Sequence, residues 1–165
     1  MLTTYILAEG RLSVRDGLLP VDELARAVWI DLLNPTAEEE RAVQEALRLE
    51  IPTREEMEEI ESSSRLYREE DTLFLTANFL HGADHGEYGS TPITFVLASQ
   101  ALVTVRHQTP KAFPAFALRC QKSPALLASP DGVMLHLFEQ IVDRLADILE
   151  RVGADMDRAS SAAFR

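Results

Sequence analysis

The chain has a single cysteine, Cys120, among its 165 residues. An internal disulfide is therefore excluded, and the expected setting is a reducing cytoplasm. Long apolar runs are missing too. No window approaches the ~20 apolar residues that a membrane-spanning helix needs, and Ile141 to Val152 is interrupted by Asp143, Arg144, Asp147, Glu150 and Arg151. The first residues do not form a basic and apolar leader, which agrees with a cytoplasmic expectation. Glycine and proline number only 7 and 8, and no repeat or low-complexity tract breaks the chain. Disorder is thus expected only at the ends and in loops.

Basic residues are in deficit: 16 Lys and Arg stand against 27 Asp and Glu, a net charge of -11. Such a surface repels nucleic-acid phosphates and anionic lipid, so no nucleic-acid partner is expected. It attracts hard cations that take oxygen ligands, although acidity is also an ordinary route to solubility. Catalytic signatures are equally absent. There is no Gly-x-Ser-x-Gly, Gly-rich phosphate loop, His-Glu-x-x-His or paired-cysteine site, and nothing orients the four histidines as acids or bases. A non-enzyme is expected. Cys120 lies in an Ala-Leu-Arg-Cys run of helical character and reads as a small buried hydrophobe rather than a nucleophile.

What is present fits one domain, since 165 residues suffice for one core and are few for two. Leu2 to Ala8 and Arg11 to Val14 flank Gly10 and predict a hairpin. Val21 to Ala27 predicts a short helix, and Val28 to Leu32 a strand stopped by Asn34-Pro35. Thr36 and Glu39 form a capping box for a helix over Ala37 to Leu47, and Thr53 with Glu56 opens a second helix through Glu61. From Arg65 the period changes to two: Arg65 to Arg68, Leu73 to Phe79, Thr91 to Ala98 and Ala101 to Arg106 predict a four-strand meander.

Helical pattern returns over Lys111 to Gln121, breaks at Pro124, and restarts at Ser129-Pro130-Asp131. The last helix carries Leu135, Phe138, Val142, Leu145, Leu149, Val152 and Met156 at spacings of three and four. Leu135 through Leu149 is expected to be core and the end to project. The fold class is therefore α/β, or α+β in strict terms: a mixed sheet with helices on both faces. The expected division is an α/β sheet domain over 1–130 and a long C-terminal helix over 131–165, packed on the same domain.

Two clusters hold metal-ligating types. His81, Asp84 and His85 with Glu87 form a loop composition that zinc accepts, although turns favour the same residues. Acidic residues concentrate at Glu55, Glu56, Glu58, Glu59 and Glu61, and again at Glu139, Asp143 and Asp147 with a spacing of four. A solvated charged face is the bland reading of both acidic groups. For His107 and His136 it is an exposed or hydrogen-bonded side chain.

The stretch Trp-Ile-Asp-Leu-Leu-Asn-Pro-Thr-Ala-Glu-Glu-Glu from Trp29 to Glu40 resembles a segment of the cytoplasmic domain of CorA-type divalent-cation transporters. In the same order follow Ser64-Arg65-Leu66-Tyr67, Thr91 to Leu97 with Leu102 to Arg106, and Leu137 to Asp143. The family's Gly-Met-Asn signature and paired apolar helices are not in these residues. The resemblance implies the ion-sensing regulatory domain of a magnesium transporter, at the cytoplasmic face of the inner membrane. It also implies a homopentamer and the protein's own transmembrane domain as a partner. By position it implies Mg2+ sensing through Glu58, Glu59, Glu139 and Asp143, between neighbouring subunits. The alternatives are a ZntB-like Zn2+ transporter, for which His81, Asp84 and His85 would be ligands, and a freestanding acidic α/β binding protein.

Overall fold

The computed structural model describes residues 1–59, 61, 65–82 and 86–165. Strands β1 (Leu2–Ala8) and β2 (Arg11–Asp16) pair antiparallel with Ala8 opposite Arg11. The two residues between them, Glu9 and Gly10, have φ of 53° and 74°. Positive φ at both turn positions matches the right-handed twist of a tight hairpin, and Gly10 adopts it without a steric penalty. Helix α1 (Val21–Leu24) is a single turn anchored by buried Leu24, shorter than the expected Val21 to Ala27. It is followed by β3 (Trp29–Leu33) and α2 (Ala37–Leu47).

Both expected capping boxes form. Glu39 N donates to Thr36 Oγ1 at 3.2 Å and Thr36 N to Glu39 Oε2 at 3.3 Å. Thr53 and Glu56 repeat the exchange at the start of α3 (Arg54–Met57). That helix stops after one turn rather than reaching Glu61, and Met57, completely buried, is what anchors it. Residue 60, inside the expected helix, and Ser64, at the expected entry to the next strand, lie outside the described residues.

The meander comprises β4 (Leu66–Glu69), β5 (Thr72–His81), β6 (Gly89–Leu97) and β7 (Leu102–Arg106), paired antiparallel in succession. The β5–β6 ladder is longer than the apolar pattern indicated, ending with His81 opposite Gly89. The sheet has seven strands in the order β2-β1-β3-β7-β6-β5-β4. Among the described residues only β3 and β7 run parallel, which joins the N-terminal hairpin to the meander and makes the sheet mixed.

Successive residues of a strand point to opposite faces, and both faces are covered here. Ile30 and Leu32 of β3, Val103 and Val105 of β7 and Val96 of β6 pack beneath α1, α2 and α3. Trp29, Leu102, Ile93 and Phe95 pack on the other side. There they meet α4 (Ala112–Lys122), a short 3-10 turn (Pro124–Leu127) and α5 (Pro130–Ala163). Cys120 is fully buried in this second core, and burial pushes its thiol up to about 11. It is an inert packing residue at neutral pH.

The phase of α5 differs from the expected one. Val133, Met134, Leu137, Ile141 and Ile148 are buried, with Phe138 and Leu145 packed at their edge. Leu135, Val142 and Leu149 are instead 57%, 61% and 69% exposed. These three recur every seven residues, and Met134, Ile141 and Ile148 form a second row with the same spacing, one position earlier and about 100° round the helix, so spacing alone does not choose between the two rows. The sheet took the neighbouring row. Residues 149–165 are exposed throughout, leaving the last turns projecting from the body.

Candidate functional site

The first acidic group is set by the capping box of α3. Glu56 is committed to it, its side chain accepting from Thr53 N at 2.8 Å. Glu58 lies 3.8 Å from Arg54 Nε, and both side chains are well exposed. Glu59 faces an open groove that it shares with Glu50, Glu56, Glu69 and Tyr67. The Tyr67 hydroxyl is pushed above its ordinary pKa by burial first, and then by Glu69, Glu56 and Glu50. The groove is thus negative in potential as well as in composition.

The second group sits on α5. Glu139 Oε2 is 3.2 Å from His136 Nδ1, and Asp143 one turn on is exposed to solvent. Since α3 covers one face of the sheet and α5 the other, Glu58 and Glu59 stand on the opposite side from Glu139 and Asp143. One chain does not bring the two pairs together. Among the described residues, no three His, Cys, Asp or Glu side chains are grouped closely enough to hold a metal ion. His81 lies at the end of β5, while Asp84 and His85 lie outside the described residues.

Sequence reasoning passed over a buried, fully hydrogen-bonded polar cluster. Asp31 and Arg106 are each 6% exposed. Arg106 Nη2 donates to Asp31 Oδ2 at 2.7 Å and its Nε to Oδ1 at 3.1 Å, while Thr104 Oγ1 donates to the same Oδ1 at 2.7 Å. Trp29 Nε1 donates in turn to Thr104 Oγ1 at 3.0 Å. The remaining arm of Arg106 reaches Gln108 O at 2.8 Å and Thr109 Oγ1 at 3.1 Å, and its guanidinium lies 4.4 Å from the centre of the Phe113 ring.

Tyr5 stacks on Trp29 at 4.2 Å, and its hydroxyl is raised by burial first and by Asp31 second. Each oxygen of Asp31 already accepts a short hydrogen bond, so this carboxylate ties β3 to β7 and holds the guanidinium that rests on Phe113 of α4; it is not a free base. The available signal was a charge inside each of two apolar strands, at Asp31 and Arg106. A buried charge in a strand requires a partner.

No helix among the described residues is long and apolar enough to cross a membrane. The family described as "CorA-like Mg2+ transporter protein" matches residues 25–165. A magnesium transport protein CorA of Pasteurella multocida is 32% identical over 161 residues, covering 97% of this chain and 50% of that protein. The chain therefore spans about half the length of the curated relatives it matches.

Among solved structures, the soluble domain of CorA from Methanocaldococcus jannaschii aligns with a TM-score of 0.68 at 15% identity, over 98% of this chain and 63% of that one. The complete CorA magnesium transporter of the same organism aligns at 0.71 and 10% identity, over 98% and 50%. These likenesses establish the fold: a mixed α+β domain with a long C-terminal helix, like that of the CorA soluble domain. The matched family is one of transporters rather than enzymes, and the chain belongs to the CorA-like Mg2+ transporter family.

Proposed function

We propose that this chain is the ion-sensing regulatory domain of a CorA-like magnesium transporter. It works on the cytoplasmic face of the membrane in a ring of identical subunits. The observation that carries the reading is the placement of acidic pairs on opposite outer faces of one domain, Glu58 and Glu59 on one, Glu139 and Asp143 on the other. A metal site that uses both sets is completed only by a second subunit. Mg2+ takes oxygen ligands and keeps several of its waters, so it tolerates such an open, shared site.

Each copy of this chain carries a net charge of -11, so apposed copies of the domain repel. A divalent cation between acidic faces offsets that repulsion and favours the closely packed ring; its loss loosens the packing, and the transmembrane part of the intact protein responds. The ligand enters as a regulator of the assembly.

The test is limited proteolysis of the intact protein, reconstituted in membranes, in chelator and in millimolar Mg2+. Mg2+ should protect the wild type. Protection should disappear in Glu139→Ala with Asp143→Ala, and in Glu58→Ala with Glu59→Ala. Unchanged protection in both pairs would remove these residues from the site.

A further inference from the structure

An open groove of about 320 Å³ lies between the N-terminal hairpin, β3 and the first turns of α4. Tyr5 and Trp29, stacked at 4.2 Å, supply its apolar wall on the sheet side, and Phe113 and Pro114 supply it on the helix side. Its charges are almost all matched within the protein. Arg106 is bound to Asp31, with Nη2 and Oδ2 at 2.7 Å, and the N-terminal ammonium of Met1 is 3.1 Å from Glu39 Oε2. Asp16 is the charge left over. It accepts from Thr3 Oγ1 at 2.9 Å and makes no ion pair among the described residues, the neighbouring Arg15 being taken by Glu23 at 3.2 Å.

Tyr5 is only 5% exposed, yet its hydroxyl has no hydrogen-bond partner among the described residues. A buried phenol ordinarily finds one. Among the described side chains only Thr4 Oγ1 is both sealed from solvent and unpartnered, so the Tyr5 hydroxyl reaches open space, and the groove that Tyr5 lines provides it. Thr3 stands opposite Asp16 and Tyr5 opposite Val14 in the β1–β2 register. Asp16 is therefore a diagonal neighbour of Tyr5 on the same face, a spacing that long side chains bridge.

We propose that this groove binds a small organic ammonium with an apolar body, its N–H groups donating to the Tyr5 hydroxyl and to Asp16. A cavity of about 150 Å³ accommodates benzene, so the larger groove has room for one ring and a short arm. An ammonium offers donors only, and a neutral phenol accepts as well as donates. An anion in the same place would meet the unmatched carboxylate of Asp16 and be repelled. None of these residues belongs to the proposed Mg2+ function, and the site stands without that reading.

Trp29 is the single tryptophan of the chain and lines the groove, so its fluorescence reports occupancy. The probes are benzylamine, an ammonium at neutral pH, and benzyl alcohol, its uncharged counterpart of like shape, each titrated into the whole chain. Benzylamine should give a saturable change and bind about two- to fivefold more tightly than benzyl alcohol, the range of an exposed ion pair. Asp16→Asn keeps an oxygen for Thr3 and should abolish that difference while leaving benzyl alcohol unchanged. Tyr5→Phe should weaken benzylamine about two- to tenfold, the range of one hydrogen bond, with the thermal melt unchanged because the hydroxyl has no partner in the protein. Equal binding of the two probes, no saturable change with benzylamine, or full affinity in a folded Tyr5→Phe variant would each overturn the proposal. The comparison of probes on the unmodified chain decides even if a variant is unstable.

Discussion

Asp31 and Arg106 are 75 residues apart in sequence, yet Arg106 Nη2 lies 2.7 Å from Asp31 Oδ2 in a pair almost closed to water. The parallel pairing of β3 with β7 sets them close, with Leu32 opposite Val105 and Leu33 opposite Arg106. A pair of this kind holds register because neither charge is tolerated alone in that environment. Asp31→Ala should lower unfolding free energy by about 3 to 5 kcal/mol, the range for leaving one member of a buried pair uncompensated. Asp31→Leu combined with Arg106→Met should lose less than either single change. Urea denaturation decides the matter: additive losses would mean that the charges are not coupled.

The phase of α5 makes a contrast within one turn. Ile141→Ala and Leu137→Ala remove side chains from the second core and should each cost about 2 to 5 kcal/mol. Val142→Lys and Leu149→Lys fall on exposed positions and should leave the stability of this chain unchanged to within about 0.5 kcal/mol. Thermal melts of the four variants check the assignment. A large loss at Val142 or Leu149 would show that this row is covered.

Thr36 caps α2 while its partner Glu39 also lies 3.1 Å from the N-terminal ammonium. Thr36→Ala should cost about 1 kcal/mol by orphaning the Glu39 amide. Thr36→Ser should restore most of it, and denaturant midpoints at equal slope would measure both. A Ser variant as weak as the Ala variant would place the loss in the methyl group instead.

His107 gives the domain an acid-sensitive group. Its pKa is held below the ordinary 6.5 by burial first and by Arg54 second, with Glu58 opposing. Between the folded value and the ordinary one, the unfolded chain binds the proton more readily. The contribution to stability is therefore complete above the ordinary value and is lost as pH falls through the folded one. Nδ1 of His107 is 3.1 Å from Asn34 Oδ1, a hydrogen bond that requires the proton on Nδ1. His107→Gln should flatten the fall in stability as pH drops from neutrality through the ordinary imidazole value and below it. Chemical denaturation across that interval would show an unchanged slope if the ring does not matter.

Much of the fold was legible wherever a local interaction decides. Thr36 with Glu39 and Thr53 with Glu56 start their helices because the capping exchange spans three residues. The hairpin around Gly10, the helix over Ala37–Leu47 and the order of the meander strands follow from turn chemistry and the change of period at Arg65. The helix opened by Thr53 and Glu56 ended at Met57, sooner than the expected Glu61. Met57 is its anchor in the core, and a short amphipathic segment is only as long as its packing.

Local pattern was enough to tell the order and type of the main helices and strands, though not every boundary, and composition was enough to tell that the surface would be acidic. Those properties depend on near neighbours and on composition. Tertiary structure alone decided that Asp31 meets Arg106, that Ile141 and Ile148 rather than Val142 and Leu149 enter the core, and that Glu58 and Glu139 stand on opposite faces. Each of these depends on contacts between distant segments. A helix that offers two apolar rows leaves the choice to the shape of the sheet against which it packs.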